Sequence, residues 1–362
     1  MIDFQVLVVT LGILLGIVAL TTIAAVGNKV YSSREESTKK SFLDRLRQAF
    51  LLLRTGIPDD HAEGMRRIVQ SFSGRWSELA AEEVSQLELA VRLDVIRALE
   101  EGQVIGRHLR MARSHMKWTR AHALRILGEL KVPSSVPTLL NALEDKDPDV
   151  RNVAARSLGR MKLQAAEEAL VELLGKHDQA VSARIAAICI EMGPRTAPLL
   201  IRSLREGTPK ARFWAARILG EIKDTRAIRS LGDALADKEP DVRSSSVWAL
   251  GMIADRASAG MVEPLLQDPV WYVRAHAAEA LGRIGDSTGV HTLAELLQDR
   301  SWWVRKNALD ALVRIGEPSK PVLLRTLHSG DRFARDCAVE ALMTLGMPLP
   351  ETVASDGEES KA

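Results

Sequence analysis

The chain has 362 residues, 46% hydrophobic and 27% charged, an ordinary globular load that fits one or two compact domains or a repeat array. Its formal net charge of +2 neither demands nor excludes a polyanionic partner. Only Cys189 and Cys337 occur, which excludes a disulfide framework and suits a reducing compartment, and no Cys/His spacing points to zinc or another metal.

From Phe4 to Val26 the sequence carries no charge and one strongly polar residue, Gln5. About 23 such residues make roughly 34 Å of helix, enough to cross a bilayer, so residues 1–27 are predicted to be a transmembrane anchor. A cleaved signal peptide fits less well, because Asp3 and no Lys or Arg precede the apolar run. Lys29, Arg34, Lys39, Lys40, Arg45 and Arg47 all follow the run, which predicts a single-pass protein of the inner membrane with its N-terminus outside and the remainder in the cytoplasm. Gly12 and Gly16 form a Gly-x-x-x-Gly pair through which two such helices could dimerise.

Residues 28–40 read as a polar linker and 41–103 as a helical preamble. Leu43, Leu46, Phe50, Leu51 and Leu53 recur at helical spacing, with Arg45, Arg47 and Arg54 between them. That helix is expected to pack on the repeats that follow, the alternative being a place on the anionic inner leaflet. Further helices are predicted from about Asp60 to Phe72 and from Glu78 to Glu100.

Between 104 and 346 one pattern recurs eight times. Its clearest copy runs from Asp147 to Met161, and one slot holds Arg120, Arg151, Ser182, Arg212, Arg243, Arg274, Arg305 and Arg335, at intervals of 30 or 31 residues. Counted from the residue before that slot, position +8 is Leu127, Leu158, Cys189, Leu219, Leu250, Leu281, Leu312 and Leu342, the expected buried spine of each second helix. Position +4 is small in most copies (Ala123, Ala154, Ala215, Ala277, Ala308, Ala338), as are Gly128, Gly159, Gly220, Gly251 and Gly282, where neighbouring helices should approach. Gly193, Gly285, Gly316 and Gly346 close units, and Asp145, Asp237, Asp268 and Asp299 sit in the turns between helices. Residues 347–362 form an acidic tail without apolar period, predicted to be disordered.

These residues resemble the HEAT repeat in its PBS-lyase HEAT-like variant. The resemblance implies an all-α fold: a right-handed α-solenoid of about eight helix pairs, here preceded by one transmembrane helix. It also implies that the arginine slot is structural, meeting turn carboxylates between repeats. Three enzyme types share such repeats. Deoxyhypusine hydroxylases use paired His-Glu dipeptides as iron ligands, and this sequence has none. Nothing besides the repeat points to a phycobilin lyase subunit, and the tether argues against an alkylpurine DNA glycosylase, although Trp302, Trp303, Asp310 and Arg314 superficially imitate its pocket. No cofactor and no catalytic residue is assigned.

In stacked helix pairs the second helices line the concave surface. Positions −1, +3, +6 and +10 share one helical face. They read Trp118, His122 and Arg125; Arg156 and Arg160; Arg184; Lys210, Trp214 and Arg217; Trp248; Tyr272, His276, Glu279 and Arg283; Trp303, Asn307, Asp310 and Arg314; then Phe333 and Glu340. A solvated face would be rich in Lys and Glu, whereas this one gathers residue types enriched at interaction hot spots. The expected partner is a protein, met at a protein- or glycan-facing groove; nucleic acid is disfavoured by the overall charge and the anchor. The alternative is an enzyme or lyase-type subunit with the groove as its active site. The stretches Asp268 to Gly285, Asp299 to Gly316 and Asp331 to Leu342 further resemble bacterial HEAT proteins with a single N-terminal membrane helix, encoded beside membrane glycosyltransferases. That implies an accessory scaffold for a surface-polysaccharide system.

Overall fold

The computed structural model describes residues 29, 32–55, 57–176 and 179–347, and within them every regular element is helical. The predicted anchor, the Gly12/Gly16 pair and the acidic tail lie outside the described residues. Among the described residues no helix is long and apolar enough to cross a membrane. Packing divides the chain into two compact units, Met1–Ser135 and Val136–Ala362.

In the first unit, helix α1 spans residues 32–52, and its first turns, within the polar stretch read as a linker, are solvent-exposed. Its second half turns Leu46 and Ala49 into a core, with Phe42 and Phe50 against it, so the helix packs in the protein as expected. Helices α2 (Pro58–Ser71), α3 (Ser77–Ser85), α4 (Leu89–Glu101), α5 (Val104–Met111) and α6 (Lys117–Glu129) complete the unit. Ile68, Val84, Val95, Leu99, Ile126 and Leu127 fill its centre. The single helix expected from Glu78 to Glu100 is instead two, broken at Gln86–Glu88. No Gly or Pro marks that break. Tertiary packing imposes it, because the reversal lets α3 and α4 both pack on α2, and half-buried Leu87 inserts into the shared core.

Among its described residues the second unit is a solenoid of seven helix pairs. The pairs are α7 (Val136–Asn141) with α8 (Pro148–Met161), α9 (Gln164–Leu173) with α10 (Gln179–Met192), and α11 (Ala197–Glu206) with α12 (Pro209–Ile222). Next come α13 (Ile228–Asp233) with α14 (Pro240–Ile253), and α15 (Ala259–Val262) with α16 (Trp271–Ile284). Then α17 (Val290–Glu295) pairs with α18 (Trp302–Ile315), and α19 (Lys320–Thr326) with α20 (Arg332–Thr344). The second helices stack in succession from α8 to α20. Position +8 has no solvent exposure in any of its copies, nor do the alanines at +4. The glycine slot lets these helices meet at backbone distance: a Cβ on Gly251 would lie 2.8 Å from the Ala280 Cα, and one on Gly282 would lie 2.7 Å from the Ala311 Cα.

Most second helices end in a left-handed residue, which glycine adopts without a side-chain clash. Gly285 fills that role, Lys162, Lys223 and Ala254 hold the same conformation with side chains, and Gly193, Gly316 and Gly346 also take positive φ. The turn aspartates accept the backbone N–H two residues on, as in Glu239 to Asp237, Val270 to Asp268 and Ser301 to Asp299. Asp237, Asp268 and Asp299 also receive a two-pronged guanidinium from the preceding repeat, from Arg212, Arg243 and Arg274 respectively, at 2.7 to 3.0 Å. Each of these arginines also donates Nη1 to a backbone carbonyl in the turn before its own second helix, as Arg243 does to Asp237 at 2.9 Å. The arginine slot is therefore an inter-repeat clamp of the geometry in which planar guanidinium meets carboxylate.

Candidate functional site

The stripe read from the sequence falls into three groups. In the first unit, Trp118 is the second residue of α6, 68% exposed, with the Lys117 ammonium 4.9 Å from its ring centre. His122 and Arg125 share one carboxylate, Glu78 of α3: His122 Nδ1 is 2.8 Å from Oε1, and Arg125 Nη1 donates to Oε2 at 2.8 Å. His122 Nε2 lies 3.3 Å from Ser77 Oγ. Ser77, His122 and Glu78 thus follow the order of a nucleophile, base and orienting acid. Ser77, however, is only 3% exposed, so its hydroxyl is not open to a substrate carbonyl, and the bonds tie α3 to α6. The nearby ring of His108 is buried, which lowers its pKa and keeps it neutral.

The second group crosses α12, α14 and α16. The Arg217 guanidinium stacks 3.6 Å from the ring centre of Trp248, a cation–π contact on a half-buried indole. Burial lowers the Arg217 pKa, and Glu221 and Glu279 act in the opposite direction. Trp248 also lies over Gly220, where a Cβ would come within 2.7 Å of its ring. His276 bonds Ser244 Oγ through Nδ1 at 2.6 Å; burial, opposed by Glu279, holds its pKa down, so the ring is neutral at pH 7. Arg283 reaches Glu279 at 2.8 Å. Beside this cluster Trp214 lines a recess of about 420 Å³ with Gln179, Ser182, Lys210 and Asp241. Tyr272 donates to Asp241 at 2.9 Å.

The third group opens at the start of α18 and α20. Trp303 is 59% exposed and stands edge-on to Trp302, which is 50% exposed; Phe333 is 40% exposed under the Arg305 guanidinium. Asn307 and Arg184 sit at the +3 slot, and each donates to a carbonyl of the preceding repeat, Ala275 and Leu143, at 2.9 and 2.8 Å. With His276 they show that this slot bridges adjacent repeats, and His122 uses it to reach α3, ahead of the repeats. Arg156 and Arg314 are exposed and form no hydrogen bond or ion pair among the described residues. These two cations, with the exposed rings of Trp118, Trp303 and Phe333 at −1, form the open part of the stripe.

Sequence reasoning passed over Trp271 and Trp302 as members of the exposed face; each opens its helix and is about half exposed. The doubled aromatics in Trp271-Tyr272 and Trp302-Trp303 were the available signal. It also missed Glu78, which lies outside the repeat and has no periodic counterpart. Among the described residues no group of three His, Cys, Asp or Glu side chains could hold a metal ion. The Cys189 thiol is pushed up to about 12 by burial and by Glu167, so it stays protonated and a poor nucleophile.

The family model for HEAT repeats matches residues 109–191, 196–271 and 258–343, more than half of the chain. A curated protein, the bilin biosynthesis protein RpcF of Synechococcus sp. (strain WH8020), is 35% identical over 94 residues, 26% of this chain and 45% of that protein. The chain thus spans under half the length of that relative. Among solved structures, Kap121p bound to RanGTP aligns with 84% of this chain and 41% of that one at 15% identity and a TM-score of 0.48. An engineered protein aligns with 83% of this chain and 88% of its own at 20% identity and a TM-score of 0.39.

Proposed function

We propose, from the premise that the chain belongs to the HEAT-repeat family, that it is a scaffold whose second-helix face holds a protein partner at a membrane. The observation that carries this is the Trp214, Arg217, Trp248 and Trp303 face. It concentrates large aromatic and guanidinium surface that the repeat architecture does not require, since Ala180, Ser245 and Ala187 occupy the −1, +3 and +6 slots in other copies. Burying such aromatic and arginine side chains against a partner yields more binding energy than the same area of Lys and Glu would.

The apolar run from Phe4 to Val26 and the basic residues after it support a single-pass anchor with the repeats on the cytoplasmic side of the inner membrane. Gly12 and Gly16 would let two anchors pair, giving a homodimer. A membrane glycosyltransferase of a surface-polysaccharide system is the partner class that the closing repeats suggest. An alkaline phosphatase fused to the C-terminus is expected to be inactive; an active fusion would place the repeats outside.

Affinity capture from detergent extracts tests the scaffold. The Trp214→Ala, Arg217→Ala, Trp303→Ala variant is expected to lose the partner that the wild type retains. A lyase-type subunit is the second reading, favoured by the stretch of 35% identity to RpcF. It expects the same capture to return the same proteins from both, with the face serving a small molecule instead.

A further inference from the structure

The clamp between repeats is complete at Asp237, Asp268 and Asp299 and stops in the repeat after them. Asp237, Asp268 and Asp299 each do three things: the backbone carbonyl of Asp237, Asp268 and Asp299 accepts Nη1 of their own repeat's arginine, one carboxylate oxygen accepts the N–H two residues on, and the carboxylate takes the arginine of the repeat before. In the last repeat Ser329 stands in that register. Its carbonyl accepts Arg335 Nη1 at 2.7 Å, and its Oγ accepts the Asp331 N–H at 3.2 Å. It supplies no carboxylate.

Arg305, the donor from the repeat before, keeps its Nη1 bond to the Asp299 carbonyl at 2.7 Å, but its Nε is buried without a hydrogen-bond partner. An unsatisfied guanidinium N–H away from water is costly unless something accepts from it. The turn beside it is open. The residue after the aspartate is Lys238, Pro269 or Arg300 in the three completed turns, whereas here it is Gly330, and a Cβ there would meet nothing within 4 Å. Phe333 forms one wall, 4.2 Å from the guanidinium carbon, with part of its ring in solvent. Arg300, Arg332 and Arg335 add positive charge near the turn, against Asp331, which caps α20, and Asp336, which lies 3.8 Å from Arg332.

We infer that Arg305, between Ser329, Gly330 and Phe333, is a seat for a carboxylate supplied by an acidic segment of a partner protein, completing from outside the clamp that the repeats complete internally. The inference rests on the protein-binding reading above and adds the chemistry of one anchor point. A planar guanidinium held by the carbonyls of Asp299 and Arg300 and by one ring is pre-set for two-pronged contact with an aspartate or glutamate.

The test uses the full chain and two blocked probes, acetyl-Ala-Asp-Ala-Ala-amide and its Asn counterpart, titrated by saturation-transfer NMR. The Asp probe is expected to bind and the Asn probe not. Ser329→Asp, which fills the seat from within, should weaken the Asp probe by about tenfold or more and raise Tm by about 2–4 °C, while Ser329→Asn does neither. Arg305→Gln should weaken the probe to the same extent. Equal binding of both probes, no binding of either, or unchanged binding by Ser329→Asp would overturn the assignment. Tighter binding by a variant with Glu351, Asp356, Glu358 and Glu359 neutralised would show the chain's own acidic end as the occupant and overturn the assignment to a partner. If Ser329→Asp leaves probe binding unchanged while the Trp214, Arg217 and Trp303 substitutions release the partner, the seat fails and the scaffold stands; the opposite pattern refutes the scaffold and leaves the seat.

Discussion

Gly251→Val is expected to destabilise the Val136–Gly346 solenoid by about 3 kcal/mol or more, because the new side chain has nowhere to go. Its Cβ would stand 2.8 Å from both the Cα and the Cβ of Ala280, and the Cα is backbone that cannot rotate away. Relief requires α14 and α16 to separate. That would open the interface holding Trp248 and His276 and loosen the buried Leu250 and Leu281 beside it. Gly251→Ala gains about 1 kcal/mol of helix propensity and should still lose net, by roughly 1–2 kcal/mol. Chemical denaturation followed by circular dichroism checks both; a valine variant as stable as the wild type would mean the helices are not in contact at this slot.

Arg243→Met should cost about 3–5 kcal/mol, since it strands a carboxylate that is almost wholly buried. The Asp268 side chain is 4% exposed and that of Arg243 is 14% exposed. Adding Asp268→Asn, which keeps the acceptor for the Val270 N–H and removes the charge, should recover much of the loss in the double variant. The same clamps give an acid dependence. Burial pushes the carboxyls of Asp237 and Asp299 up, but Arg212 and Arg274, with the N–H groups of Glu239 and Ser301, outweigh it and hold both below the usual carboxylate range. A depressed folded pKa contributes stability that is present above the unfolded value, about 3.9, and is lost as pH falls through the folded value. Stability should therefore decline below about pH 4, and Arg274→Met should move the decline from Asp299 to higher pH. Denaturation midpoints between pH 2 and 7 read this directly, and a pH-independent difference between wild type and Arg274→Met would argue against it.

The slots that were legible in the sequence are those whose physics repeats. Leu250 and Leu281 are buried for the same reason in every copy, and the glycine and alanine slots follow from one helix spacing. The arginine clamp was legible as a class, and even its gaps can be read once the register is known: Lys176 and Ser329 stand where the partners of Arg151 and Arg305 would need aspartate. The break at Gln86–Glu88 was not legible, because no turn residue encodes it and packing among α2, α3 and α4 decides it. Nor were the partners of the +3 slot. His276 and Asn307 look like face residues by period, yet each is a bond across 32 residues to the helix before, and only three-dimensional stacking reveals that. Glu78 was invisible for a related reason: it meets His122 and Arg125 from a helix that lies outside the repeat.

The central claim is that one face of the second helices binds a protein, and quantitative affinity capture with mass spectrometry tests it most directly. Three full-length forms are compared: the wild type, the Trp214→Ala, Arg217→Ala, Trp303→Ala variant, and a control with Arg202→Ala, Arg229→Ala, Met261→Ala on exposed positions of the first helices α11, α13 and α15. The account predicts a partner retained by the wild type and the control and lost by the face variant. Equal recovery from all three, or loss from the control alone, would contradict it.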